Sequence, residues 1–363
     1  EFQFINATYN EKISDNKINL TINFGKTEKL FVERINVFGN YITDENVIRN
    51  SLLVDEGDAY NEILVNRSIN EIKAKRLFKI VDKSVVNGST DKLRIININV
   101  EEQPTGELFA GAGTGTSGSS VSFGIKENNY LGTGIKVDTS ATVSQTSFQG
   151  SLSVINPNYK NTDKSMKSSI EATQIDQMSR FGYKSTKTGF SIGLVFEQYE
   201  DIYFSPGISN YLETLKTSST ASAAKKKQKG EYFDSNFNYG LTLNKLNQNF
   251  QPTSGFKSSF YQTLPIYADD WSIENEYKFA KFYSPNENAT LSFRFLAHSI
   301  NSITGDDVRI SKRIFLPNKR LKGFEFGKVG PKDGQDFIGG NYATALNFAT
   351  TLPGLLKDLE TID

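Results

Sequence analysis

The spacing of apolar positions changes once along this chain, near Pro104. Upstream, strand-like alternation and helical spacing both occur; downstream only alternation remains. Phe31–Val37 alternates as a strand, and Gly39-Asn40 offers a turn. Thr43 is placed to cap a helix from Asp44 to about Leu53, with acidic residues where the helix dipole favours them. Glu56-Gly57-Asp58 breaks that helix. A second, from about Asn61 to Leu77, puts Val65, Ile69 and Ile72 on one face. Phe78–Val86 and Leu93–Val100, with the turn Asn87-Gly88 between them, predict a hairpin. The order over residues 28–103 is strand, helix, helix, strand, strand, a small α+β domain. Residues 1–27 predict two short strands turning around Asn10–Asn16, the second alternating at Ile18, Leu20, Ile22 and Phe24.

After Pro104 the predicted strands are Gly106–Thr114, Ser119–Lys126, Ile135–Ser144, Phe148–Ile155, Met166–Ile175 and Tyr183–Phe196. Ile202–Leu215, Tyr232–Leu246, Phe256–Pro265, Trp271–Tyr283, Ala289–Ile303 and Asn341–Leu352 follow. Most are near or above the ~9–11 residues with which a tilted strand crosses a bilayer. In Ala289–Ile303, Ala289, Leu291, Phe293, Phe295 and Ala297 share one face; Thr290, Ser292, Arg294 and His298 share the other. Trp271, Ile273, Tyr277, Phe279 and Tyr283 likewise oppose Ser272, Glu274, Glu276 and Lys278. A soluble sandwich and a membrane barrel both produce such alternation. Strand length, aromatics near strand ends and the run of strands without a helix favour the barrel.

Composition sharpens this picture. Lys plus Arg and Asp plus Glu are 41 each, so no global field draws the chain to nucleic acid. Mean hydropathy is negative, yet there are 27 Phe and 16 Tyr against one Trp. An apolar outside and a wet inside average to that mixture. No apolar run is long enough for a membrane-spanning helix. The absence of Cys removes disulfide and thiolate chemistry. With no initiator Met or leader before Glu1 and an abrupt end at Asp363, the sequence reads as a fragment.

Two loops stand out in the alternating part, Lys216–Glu231 and Gly305–Gly340. Loops of the latter length are functional or disordered. If the first strand runs away from the α+β domain, both fall on the far side, and the compact Asn249–Gly255 falls on the near side. Short turns on one side and long loops on the other fit an outer-membrane barrel.

Catalysis and metal binding find little support. His298 is the only histidine and sits mid-strand on the polar face, which makes it a wall residue. Glu274 and Glu276 have Lys278 beside them and read as a balanced wet lining. Gly111–Gly118 has no following helix and is not a phosphate loop. Lys225-Lys226-Lys227-Gln228-Lys229 is a basic run on an external loop, either a solvated surface or a contact for anionic lipid headgroups.

Several stretches together resemble one family. Val37-Phe38-Gly39-Asn40 before the first helix and Glu56-Gly57-Asp58 between the helices look like a POTRA domain, although an ordinary small α+β domain has the same order. Val100-Glu101-Glu102-Gln103-Pro104-Thr105-Gly106-Glu107 resembles the passage from a last POTRA domain into a first barrel strand. Asn128-Asn129-Tyr130-Leu131-Gly132, Gln251-Pro252-Thr253-Ser254-Gly255-Phe256, Lys322-Gly323-Phe324, Gly330-Pro331 and Gly339-Gly340-Asn341 follow in order. From Phe31 onward the chain resembles the BamA family of outer-membrane assembly factors, its alphaproteobacterial members in particular.

The resemblance implies a transmembrane antiparallel β-barrel, about twelve of an expected sixteen strands being present, preceded by an α+β POTRA domain. Residues 1–27 would be the closing hairpin of a preceding POTRA domain, 28–103 the last POTRA domain and 104–363 a C-terminally incomplete barrel. It implies no enzyme and no cofactor. The partners implied are unfolded outer-membrane proteins, periplasmic chaperones, accessory lipoproteins and outer-membrane lipid, with the POTRA part in the periplasm. Leu321, Lys322, Gly323 and Phe324 match the motif of an inward-folded loop, with Lys322 where the family has Arg. A Lys offers a point charge in place of a rigid fork, and Gly340–Leu356 holds no acidic partner. The strand carrying Gly106, Leu108, Ala110, Gly111, Ala112 and Gly113 would form a lateral gate, where a substrate strand adds by β-augmentation. For Gly111 and Gly113, close packing of the linker or a bend at a barrel corner is the other reading. A two-partner secretion pore, an autotransporter-assembly relative and a diffusion porin are the alternative functions.

Overall fold

The computed structural model describes residues 5–351, apart from 15, 16, 27, 28, 116, 117, 250, 287, 288, 318, 326 and 335. They fall into two compact units, one of residues 1–106 with 127–135, the other of residues 107–126 with 136–363.

In the first unit, β1 (Ile5–Ser14) and β2 (Lys17–Lys26) pair as an antiparallel hairpin with Ile13 opposite Ile18. Then come β3 (Phe31–Phe38), α1 (Glu45–Arg49), α2 (Glu62–Ala74), β4 (Phe78–Asn87) and β5 (Leu93–Glu102). The sheet order is β3-β5-β4, with β3 parallel and β4 antiparallel to the central β5. Its core gathers Val32 and Ile35 from β3, Ile48 from α1, Val65, Ile69 and Ile72 from α2, and Ile96 and Ile98 from β5. Each such side chain contributes roughly 1.5–3 kcal/mol by leaving water. A register shift between Val32 and Arg34 lets Val32 and Ile35 both face inward despite their odd spacing. Asn61 caps α2 by accepting from the backbone N–H groups of Ile63 and Leu64.

The first helix differs from its expected extent. It stops at Arg49, because the Leu53 N–H is taken by Ser68 Oγ at 2.8 Å and the chain turns away. Thr43 is not its cap; its hydroxyl accepts from Asn129 Nδ2 at 2.8 Å. The second helix ends before Leu77, where Arg76 takes a positive φ.

The second unit is built on one twelve-stranded antiparallel sheet whose neighbours are consecutive in the chain. Its strands begin with β6 (Gly106–Gly115), β7 (Gly118–Tyr130), β8 (Ile135–Ser144), β9 (Ser147–Asn156) and β10 (Ser165–Gln177). After the short α3 (Met178–Phe181) come β11 (Tyr183–Tyr199) and β12 (Ile202–Thr217). After α4 (Ala223–Lys227) come β13 (Gly230–Leu246), β14 (Gly255–Ala268), β15 (Ser272–Asn286) and β16 (Ala289–Ser302). The two-residue strands β17 (Lys332–Asp333) and β18 (Asp336–Phe337) pair within the long loop, and β19 (Tyr342–Thr351) returns to β16. Residue 352, the expected end of the last strand, lies outside the described residues. The sheet does not close on itself among the described residues; β6 and β19 are its edges.

Which face is exposed separates barrel from sandwich. Leu291, Phe190, Leu212, Leu346 and Phe348 are exposed, the last two at 61% and 79%. Rings run side by side along that face, Phe279 to Phe293 at 6.1 Å and Phe293 to Phe348 at 5.1 Å. The opposite face is polar and cross-linked strand to strand: Ser140–Ser151, Ser169–Ser191, Asn238–Ser209 and Thr242–Ser259. His298 belongs to that lining, its Nε2 2.7 Å from Glu274 Oε1, and Lys278 pairs with Glu276. A soluble sandwich buries its apolar faces; apolar outside and polar inside is the membrane-barrel arrangement. No described helix is long and apolar enough to cross a membrane, which says nothing of strands.

Candidate functional site

Three features converge on function: the edge strand β6, the turn after β7 and the long loop between β16 and β19. On β6, Gly106, Leu108, Ala110, Gly111, Ala112 and Gly113 are all exposed, Leu108 at 82%. A Cβ added at Gly111 or Gly113 meets nothing within 4 Å, and neither residue has a positive φ. Close packing and a left-handed bend are therefore not what requires these glycines. The strand's one large inward contact is Phe109, whose ring fills the space over Gly124 of β7 and lies under Lys126 Nζ at 5.3 Å. Among the described residues β6 pairs with β7 and stands at one end of the sheet.

Residues 127–135 form a tight structure with the α+β domain. Asn129 Nδ2 donates to Thr43 Oγ1 at 2.8 Å, and Asn129 Oδ1 accepts from Gly134 N at 2.7 Å. Asp44 N donates to Gly132 O at 2.8 Å. Thr43 N and Ile42 N donate to Glu102 Oε1 at 2.7 and 3.0 Å. Gly132 has φ +76°, and a Cβ there would lie 2.0 Å from the Ile42 carbonyl oxygen. This turn therefore requires glycine both for its conformation and for the close approach.

The long loop lies against the polar face. Val308 and Ile314 cluster with Ile300 of β16, beside Ala343 of β19. Ile310 joins Tyr183 and Leu215, with Tyr232, Phe337 and Ile338 packed around them. Ile300 and Leu296 share a face with His298, so the apolar patch they add to the lining is covered by the loop or the wall. Backbone bonds between Ile314 and Gly340 at 2.8 and 2.9 Å close the loop's neck, and Ile300 N donates to Asn341 O at 2.8 Å. Ser222 Oγ, at the N-cap of α4, donates to Asp333 in the β17–β18 hairpin.

Between these contacts sits a buried charge cluster. Arg309, 2% exposed, has Nε 3.3 Å from Glu213 Oε2 and 3.9 Å from Asp270 Oδ2, and its Nη2 donates to Asp234 Oδ2. Its guanidinium carbon lies 4.1 Å from the Tyr232 ring centre. Lys312 Nζ is 3.2 Å from Asp234 Oδ1 and 3.6 Å from Asp270 Oδ2, and donates to Ser272 Oγ at 3.3 Å. Ser185 Oγ donates to Glu213 at 2.5 Å.

The expected motif is placed differently. Leu321 is half-buried, whereas Lys322, Gly323 and Phe324 are exposed, and Lys322 makes no ion pair among the described residues. Gly323 has φ +84°, a conformation that favours glycine. Two residues earlier, Arg320 reaches β19: its Nη1 donates to Asn347 Oδ1 at 3.3 Å, and Asn347 Nδ2 donates to Arg320 O at 2.9 Å. The absence of a carboxylate on that strand is thus met by an amide. Arg309, Asp234, Arg320 and Asn347 are the residues that sequence reasoning passed over; the basic residues beside Pro317 were a signal for Arg320 alone. The external basic run is also less uniform than expected, since Lys225 is buried while Lys226, Lys227 and Lys229 are exposed. No group of His, Cys, Asp or Glu that could hold a metal ion occurs among the described residues.

Comparison with known proteins gives matches in both units. Residues 129–358 match the Omp85 superfamily domain, and residues 30–103 match POTRA, the surface antigen variable number repeat. The outer membrane protein assembly factor BamA of Neorickettsia risticii is 25% identical over 337 residues, 91% of this chain and 45% of that protein. BamA of Nitratidesulfovibrio vulgaris is 23% identical over 353 residues, 95% of this chain and 44% of that protein. The chain thus spans less than half the length of these relatives. Among solved structures, BamA from Haemophilus ducreyi lacking POTRA domains 1–3 superposes with a TM-score of 0.77 at 20% identity, covering 99% of this chain and 74% of that one. CdiB from Acinetobacter baumannii gives 0.55 at 10% identity, covering 98% and 66%.

Proposed function

This chain belongs to the Omp85 superfamily, and from that premise we propose that it is the barrel-bearing part of an outer-membrane protein assembly factor of the BamA kind. Residues 28–103 act as the last POTRA domain, 1–27 as the closing hairpin of the one before it, and 104–363 as part of the barrel. The POTRA part stands in the periplasm and the sheet in the outer membrane. Unfolded outer-membrane proteins are the substrate, delivered by periplasmic chaperones and met together with accessory lipoproteins.

One observation carries this reading: the strand that follows the POTRA-type domain is built of small residues, Gly106, Ala110, Gly111, Ala112 and Gly113, and a Cβ at Gly111 or Gly113 would meet nothing within 4 Å. Small residues give such a strand little side-chain hold on a neighbour. A neighbouring strand in the full-length barrel can therefore part from β6, and an incoming substrate strand takes its place by main-chain hydrogen bonding. Each new strand then presents the next edge, and the nascent barrel grows into the membrane. Only hydrogen bonds are exchanged, so no catalytic side chain and no nucleotide are needed. The loop over the inner wall stiffens the sheet where β11, β12 and β13 converge on Arg309 and Ile310.

The test is reconstitution of the full-length protein in liposomes with a urea-unfolded eight-stranded barrel as substrate. The folded, heat-modifiable fraction should accumulate at least about tenfold faster than in protein-free liposomes, with no added nucleotide. Equal rates would contradict the proposal.

A further inference from the structure

The sheet carries three acidic side chains that water does not reach freely. Glu213 lies on β12 and Asp234 on β13, both nearly inaccessible, and Asp270 lies in the turn between β14 and β15 with a side chain only 10% exposed. Buried carboxylates must be paired or given up as neutral acids. The cations that pair them, Arg309 and Lys312, both come from the long loop, three residues apart. Arg309 touches carboxylates of all three wall segments, and Lys312 repeats the contact to two of them. Burial of the guanidinium against Tyr232 leaves it no solvent alternative. Lys187 of β11 also acts on Glu213 and Asp234 from within the wall, but the cations in ion-pair contact with these carboxylates are those of the loop.

We propose that Arg309, seated among Glu213, Asp234 and Asp270, is the positioning residue that registers the long loop on the inner wall, a role Lys322 does not have in this chain. Three details distinguish the two residues. Arg309 is buried and multiply paired, whereas Lys322 is exposed without an ion pair among the described residues. Arg309 is flanked by Val308 and Ile310, each buried in a different apolar cluster, so pairing and packing act on the same three residues. The wall carboxylates lie on β12, on β13 and in the turn between β14 and β15, so meeting all three at once ties Arg309 to one place on the wall. Arg320 on Asn347 fixes the distal part of the loop with neutral hydrogen bonds and follows from that register.

The chain has no cysteine, so a Val308→Cys thiol reports directly on whether the loop is seated. In the full-length protein reconstituted in liposomes, alkylation of that thiol by a soluble maleimide should be slow, because position 308 is nearly inaccessible. Adding Arg309→Met should speed labelling about tenfold or more, and Arg309→Lys by an intermediate factor, since opening rates follow the stability of the docked state. Lys322→Ala should leave the rate unchanged. Neutralising the wall as well, with Glu213→Gln and Asp234→Asn in the Arg309→Met background, should bring labelling back to within about threefold of the parent. A role in packing alone would give no such rescue. Heat-modifiability confirms that each barrel is folded, and where Arg309→Met does not fold, Arg309→Lys against Lys322→Ala decides. Labelling unchanged by the Arg309 substitutions, or equally raised by Lys322→Ala, would overturn the proposal. The result does not depend on the assembly function: faster labelling with full substrate insertion upholds the positioning role and counts against the loop's part in assembly.

Discussion

Asn129, near the end of β7, and Gly132, in the turn after it, hold that turn to the Ile42–Asp44 backbone and side chains. The amide of Asn129 is buried and bonded on both ends, so Asn129→Ala strands the Thr43 hydroxyl and the Gly134 N–H together. The expected loss is about 2 kcal/mol of local stability, read as faster hydrogen exchange at residues 43–47 and 132–134. Gly132→Ala adds backbone strain and a clash with the Ile42 carbonyl, and should cost at least about 3 kcal/mol in the same readout. Gly111→Val should be tolerated by the fold to within about 0.5 kcal/mol, because its Cβ points into open space. The Asn-Asn-Tyr-Leu-Gly stretch was legible as a motif, though not the partners that make its residues necessary. Arg309 was not legible at all. Its acidic partners Asp270, Asp234 and Glu213 lie 39, 75 and 96 residues upstream, and no periodicity in the sequence encodes pairing at such separations. Lys322 stood out because its neighbours resemble a motif, while Arg320, two residues away, makes the contact to β19.

At the level of elements, alternation located all the strands of the large sheet but not their ends. β11 and β12 continue past their expected ends to Tyr199 and Thr217, and β13 begins two residues early at Gly230, since backbone pairing does not need an apolar face. Of the two helices, α2 was found by its spacing and α1 by a cap and a breaker, and α1 was overextended because a serine from α2 captures the Leu53 N–H. Which way the long loop folds depends on contacts made from its neck, at Val308, Ile310 and Ile314, that local pattern does not reveal. Removing residues 318–334 leaves that neck in place. The shortened protein should fold, and in planar bilayers its conductance should rise severalfold over the parent. An unchanged current would mean that this part of the loop does not obstruct the interior, and a large steady current before deletion would favour a diffusion pore.

For the whole molecule, an apolar exposed face and a polar hydrogen-bonded inner face settle the class that composition only suggested. Both BamA and CdiB structures share the fold, with TM-scores of 0.77 and 0.55, so fold alone does not decide the function. The discriminating element is the edge of β6, where an assembly factor must open and a secretion pore need not. With Ala110→Cys or Ala112→Cys paired to a cysteine on the closing strand of the full-length barrel, the seam can be locked by oxidation and released by reduction. The account predicts that insertion of unfolded substrate stops on oxidation and returns on reduction, with the barrel heat-modifiable throughout. Insertion at the parental rate through a fully oxidised seam would contradict it.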